Sequence, residues 1–172
     1  MKGYWIGFIG GLAVLPLLGF AYLKLGFAPV ATSAPPFPME RYITHVALQA
    51  RIEKEMPKSE PVAATEATFL AGAMIYREHC AVCHGLPGHP KTALAKGMFP
   101  PAPHLFEHGV ADDPAGETYW KVKNGIRLTG MPGFEKSLTD EQIWQVSEML
   151  AKADKLPASI LTVLQEPQAA PK

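Results

Sequence analysis

The sequence predicts an all-α protein, a helical domain carried on an N-terminal transmembrane helix. Three observations predict it. The stretch from Gly3 to Leu23 holds no charged residue and makes a helix of roughly 31 Å, enough to cross a bilayer. From Thr65 onward, apolar residues recur at helical spacing between helix start and stop signals. The 172 residues leave room for one ordinary core with accessory segments rather than two full domains.

Composition narrows the function before any motif is read. With 48% hydrophobic residues the chain is too apolar for disorder throughout, while its 17 prolines and 15 glycines point to extended connections. Sixteen Lys and Arg balance sixteen Asp and Glu, which removes the clustered positive charge that nucleic-acid binding needs and excludes an acidic tail. Two cysteines are too few for a disulfide-stapled domain or a four-thiolate zinc site.

Residues 1–27 are expected to be the anchor. Tyr4 and Trp5 suit one membrane interface and Lys24 the other, and Pro16 is tolerated in a membrane helix. A cleaved signal peptide is the alternative, but its apolar region would be shorter and Pro35 follows the best late small-residue site at Thr32 to Ala34. Gly3, Gly7 and Gly11 fall on one face and would allow close helix approach. Residues 28–64 read as a Pro-rich linker with a short amphipathic helix over about 39–56, its apolar face formed by Ile43, Val46, Ala47 and Ala50. Residues 65–158 form the helical core, and 159–172 a C-terminal tail.

Within the core, Thr65 is a candidate N-cap for a helix running to His79, with Phe69, Ala73 and Tyr76 on one face. Asp113 and Pro114 are expected to open a second helix that Asn124 and Gly125 stop. Thr139 and Gln142 form a capping-box pair at the start of the last helix, which carries Ile143, Val146 and Leu150 on one face with Trp144 beside it.

Chemistry begins at Cys80-Ala81-Val82-Cys83-His84, the C-x-x-C-H pattern of c-type haem attachment. Two thiols at this spacing can form thioethers with the two vinyl groups of one haem, and the next residue sets an imidazole at the iron. A redox dithiol and half a zinc site also use C-x-x-C. The first belongs after a strand in a βαβ unit, whereas a helix precedes this motif; the second needs ligands that no further cysteine supplies.

The other axial position falls to a Met, a His or an open site. Met131 lies in Thr129-Gly130-Met131-Pro132-Gly133-Phe134, where Pro132 biases it toward extended backbone and glycines flank a tight loop. The ordinary alternative is a gap-filling core methionine, a description that suits Met39, Met56, Met74, Met98 and Met149. His89, His104 and His108 are the rival ligands. His104 and His108 also have the spacing of a metal-binding pair, without an evident third ligand, and are read by default as solvated or capping. His45 and His79 are read as surface residues.

These motifs resemble the class I c-type cytochromes over roughly Thr65 to Pro157. The resemblance implies a single covalent haem c, tethered by Cys80 and Cys83 and ligated by His84 and Met131. It further implies that the Pro103 carbonyl accepts a hydrogen bond from the second ring nitrogen of His84, orienting it. Gly72 and Tyr76 are similar to the family's pair that meets the C-terminal helix, and Tyr119 to Phe134 to its ligand-loop region. Tyr119 or Trp120 would pack on the haem or donate to a propionate. Lys121, Lys123, Arg127 and Lys136 cluster around that loop as a solvated face or as a basic rim for an acidic partner.

The expected function is one-electron transfer through a six-coordinate iron with no substrate site, hence an electron-transfer protein rather than an enzyme. The anchor and linker depart from the minimal soluble members of the family. They point to a membrane-anchored bacterial type, a tethered carrier or a subunit of a respiratory complex. Its expected partners are the membrane and redox proteins or other subunits, not nucleic acid. The expected location is a bacterial inner membrane, single-pass, with the N-terminus cytoplasmic and the haem domain periplasmic. The alternative is a haem-based gas sensor or haem enzyme in which the methionine dissociates.

Overall fold

A computed structural model describes residues 2–107 and 110–166, with side chains in the first helix described from Gly10 onward. The chain divides into two compact units, 1–41 and 42–172. All regular structure among the described residues is helical.

In the first unit, helix α1 spans Lys2–Lys24 with Pro16 inside it. Among the described residues no helix is long and apolar enough to cross a membrane, so the expected span finds no support there. The described side chains of α1, from Gly10 to Lys24, cover roughly 22 Å of helix against a hydrocarbon core of about 30 Å. Gly3, Tyr4, Trp5 and Gly7 lie in α1, but before the point from which its side chains are described, so what the interface aromatics and the glycine face meet lies outside the described residues. After α1 the chain turns at Gly26 (φ 77°), and Tyr22 Oη donates to the Phe27 carbonyl at 2.8 Å. The Pro-rich stretch that follows has no helix until α2, Glu40–Glu55.

The second unit is built on α3 (Glu66–Ile75), a π-helical turn (Tyr76–Cys80), α4 (Ala81–His84), α5 (Ala93–Lys96), α6 (Ala115–Asn124), α7 (Asp140–Leu150) and α8 (Ala158–Gln165). Thr65 caps α3 as expected, its hydroxyl accepting from Thr68 N at 3.2 Å. The capping box of α7 is reciprocal: Gln142 N donates to Thr139 Oγ1 at 3.2 Å and Thr139 N to Gln142 Oε1 at 2.9 Å. Both caps satisfy amides that the first helical turn leaves without partners.

Helices α3 and α7 form the centre of the core. Ala73 and Tyr76 from the first and the turn that follows it, and Ile143, Val146 and Met149 from the second, have no exposed surface. Their approach needs Gly72, where a Cβ would collide with the Gln145 carbonyl oxygen and come within 2.9 Å of Met149 Cβ. Gly72→Ala is therefore expected to cost about 1–3 kcal/mol through overpacking, read as a lower denaturant midpoint of the haem-loaded protein. A wild-type midpoint would refute that close approach. Tyr119 stacks on Trp144 with ring centroids 4.3 Å apart, joining α6 to α7.

Several expectations are corrected. Helix α6 starts one residue later than the Asp113 and Pro114 signal implied: Pro114 is the N-cap with no side-chain cap bond, and Asp113 instead lies 3.5 Å from Lys121 Nζ. In α2 the expected face is solvent-facing, with Ile43 and Val46 exposed; Ile52 is buried and Leu48 and Met56 are half-buried. The larger aliphatic groups spaced i, i+4, i+8 take the core side because they remove more apolar area from water. The stretch expected as a tail contains α8, whose Ile160 and Leu164 are buried.

Candidate haem site

The π-helical turn and α4 carry the C-x-x-C-H motif. Tyr76 Oη donates to the Gly85 carbonyl at 2.7 Å, pinning the end of α4 to the end of α3 across the motif. Both cysteines are free thiols. Burial pushes the Cys80 thiol up to about 12, with Cys83 beside it adding to the effect. This environment disfavours a Cys80 thiolate, whereas a reactive dithiol stabilises its attacking thiolate; the described residues also supply no strand for a βαβ setting.

His84 Nδ1 lies 2.9 Å from the Pro103 carbonyl oxygen. A carbonyl can only accept, so Nδ1 carries the proton and Nε2 keeps its lone pair for a metal. Burial lowers the His84 pKa; the bond to Pro103 opposes this and nearby His104 adds to it. A neutral imidazole is the form that binds iron.

Met131 is presented by a loop that doubles back on itself. Gly125 ends α6 at φ 68°, a left-handed backbone that glycine adopts without penalty. A Cβ there would lie 2.9 Å from the Met131 carbonyl oxygen and 2.6 Å from the Pro132 carbonyl carbon. Ile126 N donates to the Met131 carbonyl at 3.2 Å, and Met131 N donates to Thr129 Oγ1 at 3.1 Å. Phe134 N returns to the Val122 carbonyl of α6 at 2.9 Å.

These elements enclose a cavity of about 270 Å³, lined by Cys80, Cys83, His84 and Met131 together with Leu48, Met98, Pro100, Ala102, Pro103, Leu105, Val110, Val122 and Ile126. The cavity fits a haem on its donor set: two adjacent thiols, an imidazole with its metal-binding nitrogen free, a thioether, and mostly apolar walls in which His79, Thr118, Lys121 and Thr129 are the polar exceptions. Thr118 also lines it, and its buried hydroxyl has no hydrogen-bond partner. All five site residues expected from the sequence thus converge, four on the cavity wall and Pro103 both on the wall and on His84.

Met98, Leu48, Thr118 and His79 also line the cavity, although no sequence motif marks them as site residues. For His79 this corrects the surface reading; it meets Phe134 edge-on at 5.8 Å. His104 is neither solvated nor a cap: it is 1% exposed and its Nε2 bonds the His89 carbonyl at 3.1 Å. His89 itself is exposed. His108 lies outside the described residues, among which no three His, Cys, Asp or Glu side chains gather to hold a metal ion.

The polar ends of Trp120 and Tyr119 are engaged elsewhere, which corrects their expected role toward a propionate. Trp120 Nε1 donates to Glu55 Oε2 at 3.2 Å, and Tyr119 Oη to Asp140 Oδ1 at 2.9 Å. Half of the basic rim is ion-paired: Lys121 Nζ lies 2.6 Å from Glu117 Oε1 and Lys123 Nζ 2.9 Å from Asp140 Oδ1, while Arg127 and Lys136 are exposed.

Residues 67–149 match the family described as cytochrome C oxidase, cbb3-type, subunit III. A solved chain of the Kuenenia stuttgartiensis reducing HAO-like protein complex is 27% identical, aligned over 54% of this chain and 46% of its own length, with a TM-score of 0.46. This chain therefore spans less than half of that relative's length. No protein of curated function matches.

Fold, motif and family match agree that the chain carries a c-type cytochrome domain of class I. Its cofactor is a covalently bound haem c, and electron transfer through that haem is the domain's work.

Proposed function

We propose that the protein is a one-electron carrier in which Cys80 and Cys83 tether the haem, His84 and Met131 ligate its iron, and the Pro103 carbonyl orients His84. Carrying this reading is the convergence of those side chains on one apolar cavity, with His84 Nδ1 held 2.9 Å from Pro103. Bound haem supplies the one-electron couple. The chain's residues hold both axial ligands, exclude water and set the potential through ligand type and burial. Two protein ligands leave no position for a substrate, so the protein acts as a non-catalytic partner rather than an enzyme.

The same reading makes it a membrane-tethered carrier or a subunit of a respiratory complex. The uncharged run from Gly3 to Leu23 favours an anchor, and Leu12, Leu15, Leu17 and Leu18 of α1 are all exposed, which suits lipid better than water. The family's description as an oxidase subunit favours a fixed place in a complex. The N-terminus would lie in the cytoplasm and the haem domain in the periplasm, since haem attachment of this type takes place outside the cytoplasm.

Absorption spectra of the purified protein test the ligand set. The ferric form is expected to show the weak red-end band of methionine ligation, and the ferrous form to bind no carbon monoxide. Carbon monoxide binding without any mutation would favour the sensor or enzyme reading instead.

A further inference from the structure

Helix α2 lies outside the matched residues 67–149, yet it supplies part of the cavity wall. Leu48 lines the cavity, and Ile52, one turn further on the same face, is 1% exposed. Two contacts fix the end of α2 to α6. Trp120 Nε1 donates to Glu55 Oε2, and Gly116 approaches so closely that a Cβ there would collide with the Pro57 carbonyl oxygen. The opposite side of α2, with Tyr42, Ile43 and Val46, remains exposed, so the docked side is the one that meets the cavity.

We propose that α2 is a built-in wall of the haem crevice, and that Leu48 shields the bound haem from water on that side, raising its potential and restricting small redox molecules. The inference rests on haem filling this cavity as proposed above. Its physical basis is that oxidation adds a positive charge to the haem, and an apolar wall stabilises that charge less than water does. Removing the wall therefore favours the ferric state. It also opens a shorter path for outer-sphere reductants.

The test uses the full haem-loaded chain as Leu48→Ser, Leu48→Met and Glu55→Ala. Leu48→Ser is expected to lower the midpoint potential and to be reduced severalfold faster by ascorbate, with haem content and the red-end band unchanged. Leu48→Met, which restores apolar bulk, is expected to behave as wild type. Glu55 is partly exposed, so Glu55→Ala removes the anchor to Trp120 with little risk to folding. It is expected to shift both quantities in the same direction, and it decides the matter if Leu48→Ser fails to accumulate. Wild-type potential and reduction rate in Leu48→Ser, or in Glu55→Ala where Leu48→Ser is not obtained, overturn the proposal. A wild-type protein without covalent haem or without the red-end band instead refutes the underlying ligand assignment.

Discussion

Met131→Ala is expected to keep haem covalently attached while losing the red-end band, gaining carbon monoxide binding in the ferrous state and dropping in potential by on the order of 0.2 V. That drop is a modest part of the ~0.8 V range that axial ligands cover. The effects separate because different residues carry them. On the proposed ligand set, Cys80 and Cys83 would hold the macrocycle from the π-helical turn and α4, whereas Met131 sits on the loop after α6. The loop's own bonds do not involve the thioether: Met131 N donates to Thr129, and the Met131 carbonyl accepts from Ile126, both through the Met131 backbone. The loop therefore keeps its shape in the variant, and the iron loses one ligand. An unchanged visible spectrum would rule Met131 out as that ligand.

Replacing Cys80 and Cys83 together by Ala is expected to abolish covalent haem and most of the folded population. The cavity they border takes side chains from α2, α4, α6, α7 and the loops between them. Left unfilled, the apolar walls of this cleft lose the packing contacts that a haem would supply, which weakens the core around it. Mass spectrometry under denaturing conditions reads the covalent bond, and far-ultraviolet circular dichroism the fold. A double variant that still carries haem through denaturation would show attachment elsewhere.

Much of this is legible in the sequence because local chemistry fixes it. The C-x-x-C-H string, the Thr65 and Thr139 caps and the glycines around Met131 each state their role within a few residues, since capping bonds and loop closures are short-range. The bond from His84 to Pro103 is legible only through the family resemblance, because it joins residues 19 apart. What is not legible depends on tertiary contact. Leu48 and Ile52 stand at helical spacing, but the smaller Ala47 and Ala50 fit a face just as regular, and only packing chooses between them. Met98 reads as a methionine before Pro-rich chain, yet Gly130 lies so close to it that a Cβ would meet its Sδ at 3.7 Å and collide with its Cε. Trp120 and Tyr119 are legible as aromatic residues of α6, whereas their commitment to Glu55 and Asp140 depends on segments far along the chain.

Met98 makes the sharpest competitor, since two thioethers line one cavity. The most direct measurement is the proton NMR spectrum of the ferrous protein, where the methyl group of an iron-bound methionine is shifted far upfield by the haem ring current. The account predicts one such resonance in the wild-type protein, still present in Met98→Ala and absent in Met131→Ala. A resonance that survives in Met131→Ala and disappears in Met98→Ala would contradict it.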